Sequence, residues 1–340
     1  MSIRLAIQDY PFDLSHHGGP KVFVRRLTES IIQQKLAKVS STKIPFYNIA
    51  LFSIHAKGSR ALYNRILNKP YVLRVDGIYF DKYNTAANTE KMNNAIFSSI
   101  DKASGLVFIS EFCKNMVERF HTKIIKPHKV IHNTVDTKKF TPIGPDYRKI
   151  YGISNKEKVI ITSAHWRRHK RLKETLEFFE IICNSKIDNY KLIVLGGGAD
   201  VDLNNKNIIY PGEIEPDSLP AWYRTADIYL HLAWIEPCGN TQIEAMACGL
   251  PVLCTNNGGI GETVLNADGG IVSKCDKPFE MKLLDYYNPP KPDYKILMQD
   301  FNMIMNNQKR FVQQININSL DIDVATREYI SLIKQVHKKK

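Results

Sequence analysis

The 340-residue chain is 44% hydrophobic and 24% charged, with 47 Lys+Arg against 34 Asp+Glu. This suits a water-soluble globular protein with room for two domains, and no apolar run approaches the 18 residues of a membrane span. The net charge of +13 is unevenly placed: residues 1–150 hold 24 Lys+Arg against 11 Asp+Glu, and the other 190 hold 23 of each. A basic half suits an anionic membrane surface, nucleic acid or a phosphorylated substrate, or is simply a soluble basic surface.

The first strand-like run is "IRLAIQ" (3–8). Asp9 and Asp13 interrupt the N-terminal apolar stretch, which therefore lacks the long core of a signal peptide. Gly18 and Gly19 follow, then Pro20 and a helical pattern over 20–38. Glycine there lets backbone approach a ligand, and Pro20 suits a first helical turn. Strand-like runs at 47–54, 71–76, 105–110 and 129–133 alternate with helical patterns at 91–103 and 110–121. Asp76 closes "YVLRVD" at the carboxyl end of its strand. It is placed to take a ligand hydroxyl, to pair with Arg74 or to cap a turn.

The stretch 141–157, "TPIGPDYRKIYGISNKE", holds two prolines, two glycines and several charges, and reads as an interdomain linker. A second strand series follows at 158–163, 191–196, 207–210, 227–232 and 251–255, with helical patterns at 171–184 and 240–248. Alternating strands and helices imply parallel sheets covered on both faces. The expected architecture is α/β: two doubly wound units in tandem, 1–150 and 151–320, with ligands bound in the cleft between them. Residues 321–340 carry a helical pattern expected to pack back on the first domain. The glycines of "LIVLGGGAD" do not complete G-x-G-x-x-G, because position 201 is Val, and read as a strand-end turn.

Six cysteines show no C-x-x-C or zinc spacing and read as buried thiols in a reducing, cytoplasmic setting. No recognition helix or aromatic–basic motif argues for nucleic acid. The informative stretch is 236–254, "EPCGNTQIEAMACGLPVLC". A strand runs into Glu236; a Pro-Cys-Gly loop precedes a short helix, which Asn240 or Thr241 can cap. Gly249 and Pro251 stop it. The helix start offers free N–H groups to an anion, with Glu236 and Glu244 on either side to accept hydroxyls. A nucleotide sugar fits that pattern; so do a solvated loop charge and a helix-dipole charge.

E-x7-E followed by "AMACGLPV" and "NNGGIGE" resembles the family 4 glycosyltransferases, retaining enzymes of the GT-B fold. The likeness extends to "NIIYPGEIEPDSLPAWYRTADIYLHLA", "KASGLVFISEFCKNMV" and "KVIHNTVDTKKFTP", covering most of residues 90–270. It implies two Rossmann-like domains facing a cleft. It further implies that Glu236 lies near the transferred sugar and Glu244 holds the ribose, with Gly239, Asn240 and Thr241 meeting sugar and phosphates. Lys170 matches the family's diphosphate lysine; the companion arginine's place falls on His165, with Arg167 and Arg168 close by. Gly18 and Gly19 match a glycine-rich loop near the donor phosphates, and Asp76 stands where many relatives carry a histidine. The implied function is metal-independent transfer of a sugar from a nucleotide-sugar donor to a glycan or lipid-linked acceptor. The basic first domain is expected to meet an anionic acceptor or membrane surface. The alternative is a non-catalytic nucleotide-sugar-binding subunit or scaffold, kept open by Asp76 and the irregular arginine.

Overall fold

A computed structural model describes residues 3–13, 19–44, 46–56, 63–64, 66–81, 86–185 and 189–338. The chain divides into two compact units: 1–134 with 281–284 and 321–340, and 135–280 with 285–320.

The first unit is built on a sheet with strand order β2-β1-β3-β4-β5-β6, every neighbouring pair parallel. Its strands are β1 (Arg4–Ile7), β2 (Lys38–Ser41), β3 (Ile49–Ser53), β4 (Tyr71–Val75), β5 (Gly105–Phe108) and β6 (His128–Val130). All five residues of β4 and all four of β5 are buried, as a strand covered on both faces requires. Its helices include α1 (Gly19–Gln33), α2 (Ala86–Lys102) and α3 (Glu111–Phe120). Ser110 caps α3, its hydroxyl accepting from Cys113 N–H at 3.1 Å.

The helical pattern expected over 20–38 ends at Gln33. Lys35 turns left-handed at φ +53°, Leu36 N–H closes on the Ile31 carbonyl at 3.1 Å, and Lys38–Ser41 becomes the edge strand β2.

The second unit has strands β7 (Lys158–Ser163), β8 (Tyr190–Leu195), β9 (Ile208–Gly212), β10 (Ile228–His231), β11 (Val252–Thr255) and β12 (Gly270–Ser273). Their order is β12-β11-β10-β7-β8-β9, again all parallel. Its helices include α4 (Leu172–Asn184), α5 (Leu219–Thr225), α6 (Thr241–Ala247), α7 (Ile260–Asn266), α8 (Tyr294–Asn306) and α9 (Gln308–Gln314). Alternate β7 residues face opposite cores: Val159 and Ile161 meet Tyr229, Ile243 and Met246, while Ile160 meets Phe178, Phe179 and Phe301.

The stretch read as a linker is part of this second unit. Phe140 and Ile153 are buried in its core, Tyr147 N–H donates to Thr225 Oγ1 at 2.9 Å, and Arg148 pairs with Asp227 at 2.7 Å. The prolines and glycines shape a packed segment rather than a free connection.

The last helix, α10 (Ile322–Lys338), lies in the first unit. Its Tyr329, Leu332 and Ile333 pack with Phe23, Leu27 and Ile31 of α1, and Asp323 accepts from Ser30 Oγ at 2.9 Å. Among the described residues no helix is long and apolar enough to cross a membrane.

Candidate functional site

Parallel sheets gather functional side chains beyond the carboxyl ends of their strands. In the second unit three segments end there together: β7 runs into His165–Arg171, β10 into Leu232–Gly239, and β11 into Asn256–Gly259. Glu236 is held at the centre. Its Oε2 takes Lys170 Nζ at 2.5 Å and His231 Nε2 at 3.0 Å. Burial pushes the carboxyl pKa up, but the Lys170 charge and the His231 hydrogen bond outweigh it and hold Glu236 well below the usual carboxylate range.

The backbone around Glu236 is fixed by β11's continuation. Gly259 N–H donates to the Glu236 carbonyl at 2.9 Å, and Gly258, at φ +99°, lies so close that a Cβ there would overlap that oxygen. Gly239 is constrained less strongly, by side chains alone: a Cβ would come within 2.5 Å of Gln242 Oε1 and 3.5 Å of Glu236 Oε1. Tyr286 clamps the other side: its hydroxyl donates to the Ile235 carbonyl at 2.8 Å and its ring stacks on His169 at 4.1 Å. The His169 carbonyl in turn accepts Trp234 N–H at 2.9 Å. Burial first, then the Lys170 charge, push His169 down to about 3, so its ring stays neutral.

Short helix α6 follows the Glu236 loop. Asn240 begins it without a side-chain cap, and Thr241 Oγ1 accepts from Tyr229 O–H at 2.7 Å instead. Glu244 is buried, 4% exposed, and its Oε2 accepts from Tyr223 O–H at 3.2 Å.

The basic run 167–171 separates into two roles. Arg171 is fully buried, left-handed at φ +57°, and bound two-pronged to Asp276 at 2.8 Å on each nitrogen. Arg168 grips Glu174 the same way at 2.8 and 2.6 Å. These two hold the turn in shape. Arg167 is exposed with no ion pair among the described residues, and Lys170 reaches Glu236. The site thus offers a cationic pair, Arg167 and Lys170, beside two carboxylates, Glu236 and Glu244.

In the first unit, Asp76 pairs with the fully buried Arg74, which also donates to Asn133 Oδ1 at 2.8 Å. Burial raises the Asp76 carboxyl pKa, and Arg74 offsets that only in part. Of the three roles open to Asp76 in the sequence, pairing with Arg74 is the one its geometry displays. Its Oδ2 remains buried without a hydrogen-bond partner. Gly19 opens α1, and Gly18 lies outside the described residues. Among the described residues no cluster of three or more His, Cys, Asp or Glu side chains could hold a metal ion.

Sequence reasoning did not single out His231, Tyr286 or Gly258. His231 had a readable signal, a polar residue inside the apolar run "DIYLHL" five positions before Glu236. Tyr286 lies in a loop fifty residues further on and had none.

Residues 145–284 match the family described as "Glycosyl transferases group 1". The N-acetyl-alpha-D-glucosaminyl L-malate synthase of Bacillus anthracis is 27% identical over 190 residues, 53% of this chain and 48% of that protein. The chain spans about half the length of the curated relatives it matches. Its fold is that of solved glycosyltransferase structures. Sucrose-phosphate synthase from Thermosynechococcus elongatus superposes with a TM-score of 0.74 at 14% identity, covering 99% of this chain and all of that one. Anabaena Alr3699/HepE, solved with UDP and glucose, gives 0.69 at 12% identity, covering 98% and 100%. The chain has the GT-B architecture of two parallel-sheet Rossmann-like units, and the part of it that matches the glycosyl transferases group 1 family, residues 145–284, holds the Glu236–Lys170 site.

Proposed function

We propose that the protein is a retaining, metal-independent glycosyltransferase that takes a sugar from a nucleotide-sugar donor. The acceptor is a hydroxyl of a glycan or lipid-linked glycan. The observation that carries this reading is the Lys170–Glu236 pair at the carboxyl end of β7 and β10, with Arg167 free beside it. A diphosphate draws Lys170 and Arg167, which neutralise the charge that grows on the leaving group. Glu236, released from Lys170, accepts a hydroxyl of the sugar, and Glu244 accepts from the ribose. The UDP and glucose bound by the Anabaena neighbour are the same class of ligand.

In the transfer step the bond from the anomeric carbon to the diphosphate oxygen breaks, and the acceptor oxygen bonds to that carbon from the same face. The acceptor proton passes to the departing diphosphate, so no side-chain nucleophile is needed. The first unit, with 26 Lys+Arg against 12 Asp+Glu, supplies the acceptor surface and meets anionic groups, a lipid headgroup at a membrane surface included. A cytoplasmic setting accords with the six free cysteines.

The test is thermal stabilisation by a panel of UDP-, GDP-, ADP- and TDP-sugars, on wild type and Glu244→Ala. A ligand at about 100 times its Kd adds roughly 2.7 kcal/mol. A shift with one base that is lost in Glu244→Ala supports the reading; no shift with any donor sinks it. Retention is checked separately by NMR, as an unchanged anomeric configuration in the product.

A further inference from the structure

Outside the Glu236 site, the first unit holds a cavity of about 540 Å³ beyond the carboxyl ends of β1 and β2, with the start of α1 as one wall. Two aromatic rings, Tyr10 and Phe12, form its apolar side. They meet edge-to-face at 5.8 Å and rest against the core of the unit, which fixes their exposed faces. Lys21 and Arg25 reach in from α1, and Lys43 from the turn that ends β2, a turn closed by Ile44 N–H on the Ser41 carbonyl at 3.1 Å. Lys21 and Lys43 have no ion-pair partner among the described residues, and Arg25 has only a 4.0 Å contact with the exposed Glu29. Asp9 and Asp13 add two carboxylates to the lining. Asp9 is left-handed at φ +62°, a conformation that costs free energy.

Each component asks for something different. Fixed aromatic faces suit the apolar face of a sugar ring. Carboxylates accept ring hydroxyls. Three cations converging on one volume, two of them without an ion-pair partner among the described residues, ask for an anionic group. We propose that this cavity binds a sugar ring carrying an anionic substituent, with Lys21, Arg25 and Lys43 on the anion. Tyr10 and Phe12 lie under the ring, and Asp9 and Asp13 take its hydroxyls. Its assignment as the acceptor subsite rests on the transferase reading above; its ligand chemistry does not.

The test is calorimetric titration of the full chain, without nucleotide, using glucose 6-phosphate, glucose and inorganic phosphate as probes. Glucose 6-phosphate is expected to bind about tenfold more tightly than either of the others. Lys43→Ala and Lys21→Ala, both at exposed positions, are each expected to weaken it about tenfold. Lys170→Ala is expected to leave it unchanged. The proposal is overturned if inorganic phosphate or glucose binds as well as the sugar phosphate, or if no probe binds. It is equally overturned if Lys170→Ala abolishes binding while Lys43→Ala does not. Nucleotide-sugar stabilisation of Lys43→Ala, measured alongside, keeps the two readings apart. If donors give no shift while glucose 6-phosphate still binds in a Lys43-dependent way, the transferase reading falls and the cavity stands.

Discussion

Lys170 Nζ lies 2.5 Å from Glu236 Oε2, so the cation that a diphosphate would recruit already neutralises the carboxylate that a sugar hydroxyl would recruit. Before donor arrives, the two groups satisfy each other. Lys170→Ala leaves Glu236 with His231 alone and is expected to cost roughly 1–3 kcal/mol of stability. It should also abolish transfer. Glu236→Gln keeps a hydrogen-bonding group without the charge, so its stability loss should be smaller while transfer is still lost. Urea midpoints and product formation on the two variants separate these effects.

The arginines of the same turn should behave oppositely. Arg171 and Asp276 are both buried, so Arg171→Ala strands a carboxylate in the core and is expected to cost about 3–5 kcal/mol. Arg167→Ala, at an exposed unpaired position, should change stability by less than about 0.5 kcal/mol. It should weaken the donor nucleotide about tenfold, read by calorimetric titration.

His169 makes acid stability a sensitive readout. Its ring is neutral in the folded protein down to about pH 3, whereas an unfolded histidine takes up a proton near pH 6.5. Between those values the unfolded state binds more protons, so stability is full above about pH 6.5 and falls as pH drops. The slope is at most about 1.4 kcal/mol per pH unit from this one group. His169→Phe keeps a ring against Tyr286 and should flatten the fall in Tm between pH 6.5 and 4.5. An unchanged slope would remove His169 as its source.

Gly258→Ala places a methyl group against the Glu236 carbonyl in a left-handed residue. Strain of this kind costs about 1–3 kcal/mol. Because the displaced backbone carries Glu236, kcat should fall further than the loss of folded protein accounts for, measured well below the Tm.

Thiol labelling should sort the cysteines. Burial raises Cys248 and Cys275 to about 12, and Cys113 and Cys254 are buried with them. Cys183 and Cys238 are half-buried. A maleimide should modify only those two in the native protein, by peptide mass mapping. Cys238 lies in the loop between Glu236 and Gly239, and its labelling should slow when nucleotide sugar is bound.

The strands and helices that build both sheets were largely legible because each is a run of branched apolar residues or a helical apolar stripe. The edge strands β2, "KVSS", and β12, "GIVS", were not: short and largely half-exposed, they carry little buried pattern and gain their places from pairing with β1 and β11. In the site, Glu236, Glu244 and Lys170 stood out by spacing and likeness. What spacing could not reveal is which arginine is structural. That is decided by Asp276, 105 residues from Arg171, and by Glu174 packing beneath Arg168. The packing of the 141–157 stretch was hidden for the converse reason: its turn-forming residues dominate the local pattern, while Ile153 and the adjacent Phe140 are buried in a core assembled from distant segments.

Helix α10 completes the core of the first unit with residues 322–338, and Gly105 lacks a side chain where Val336 presses in, since a Cβ there would lie 2.6 Å from that methyl. During synthesis, therefore, the unit that starts first finishes last. The second unit has its whole sequence once residue 320 has emerged, whereas the first must wait with Phe23, Leu27 and Ile31 uncovered until the 17 residues of α10 have followed.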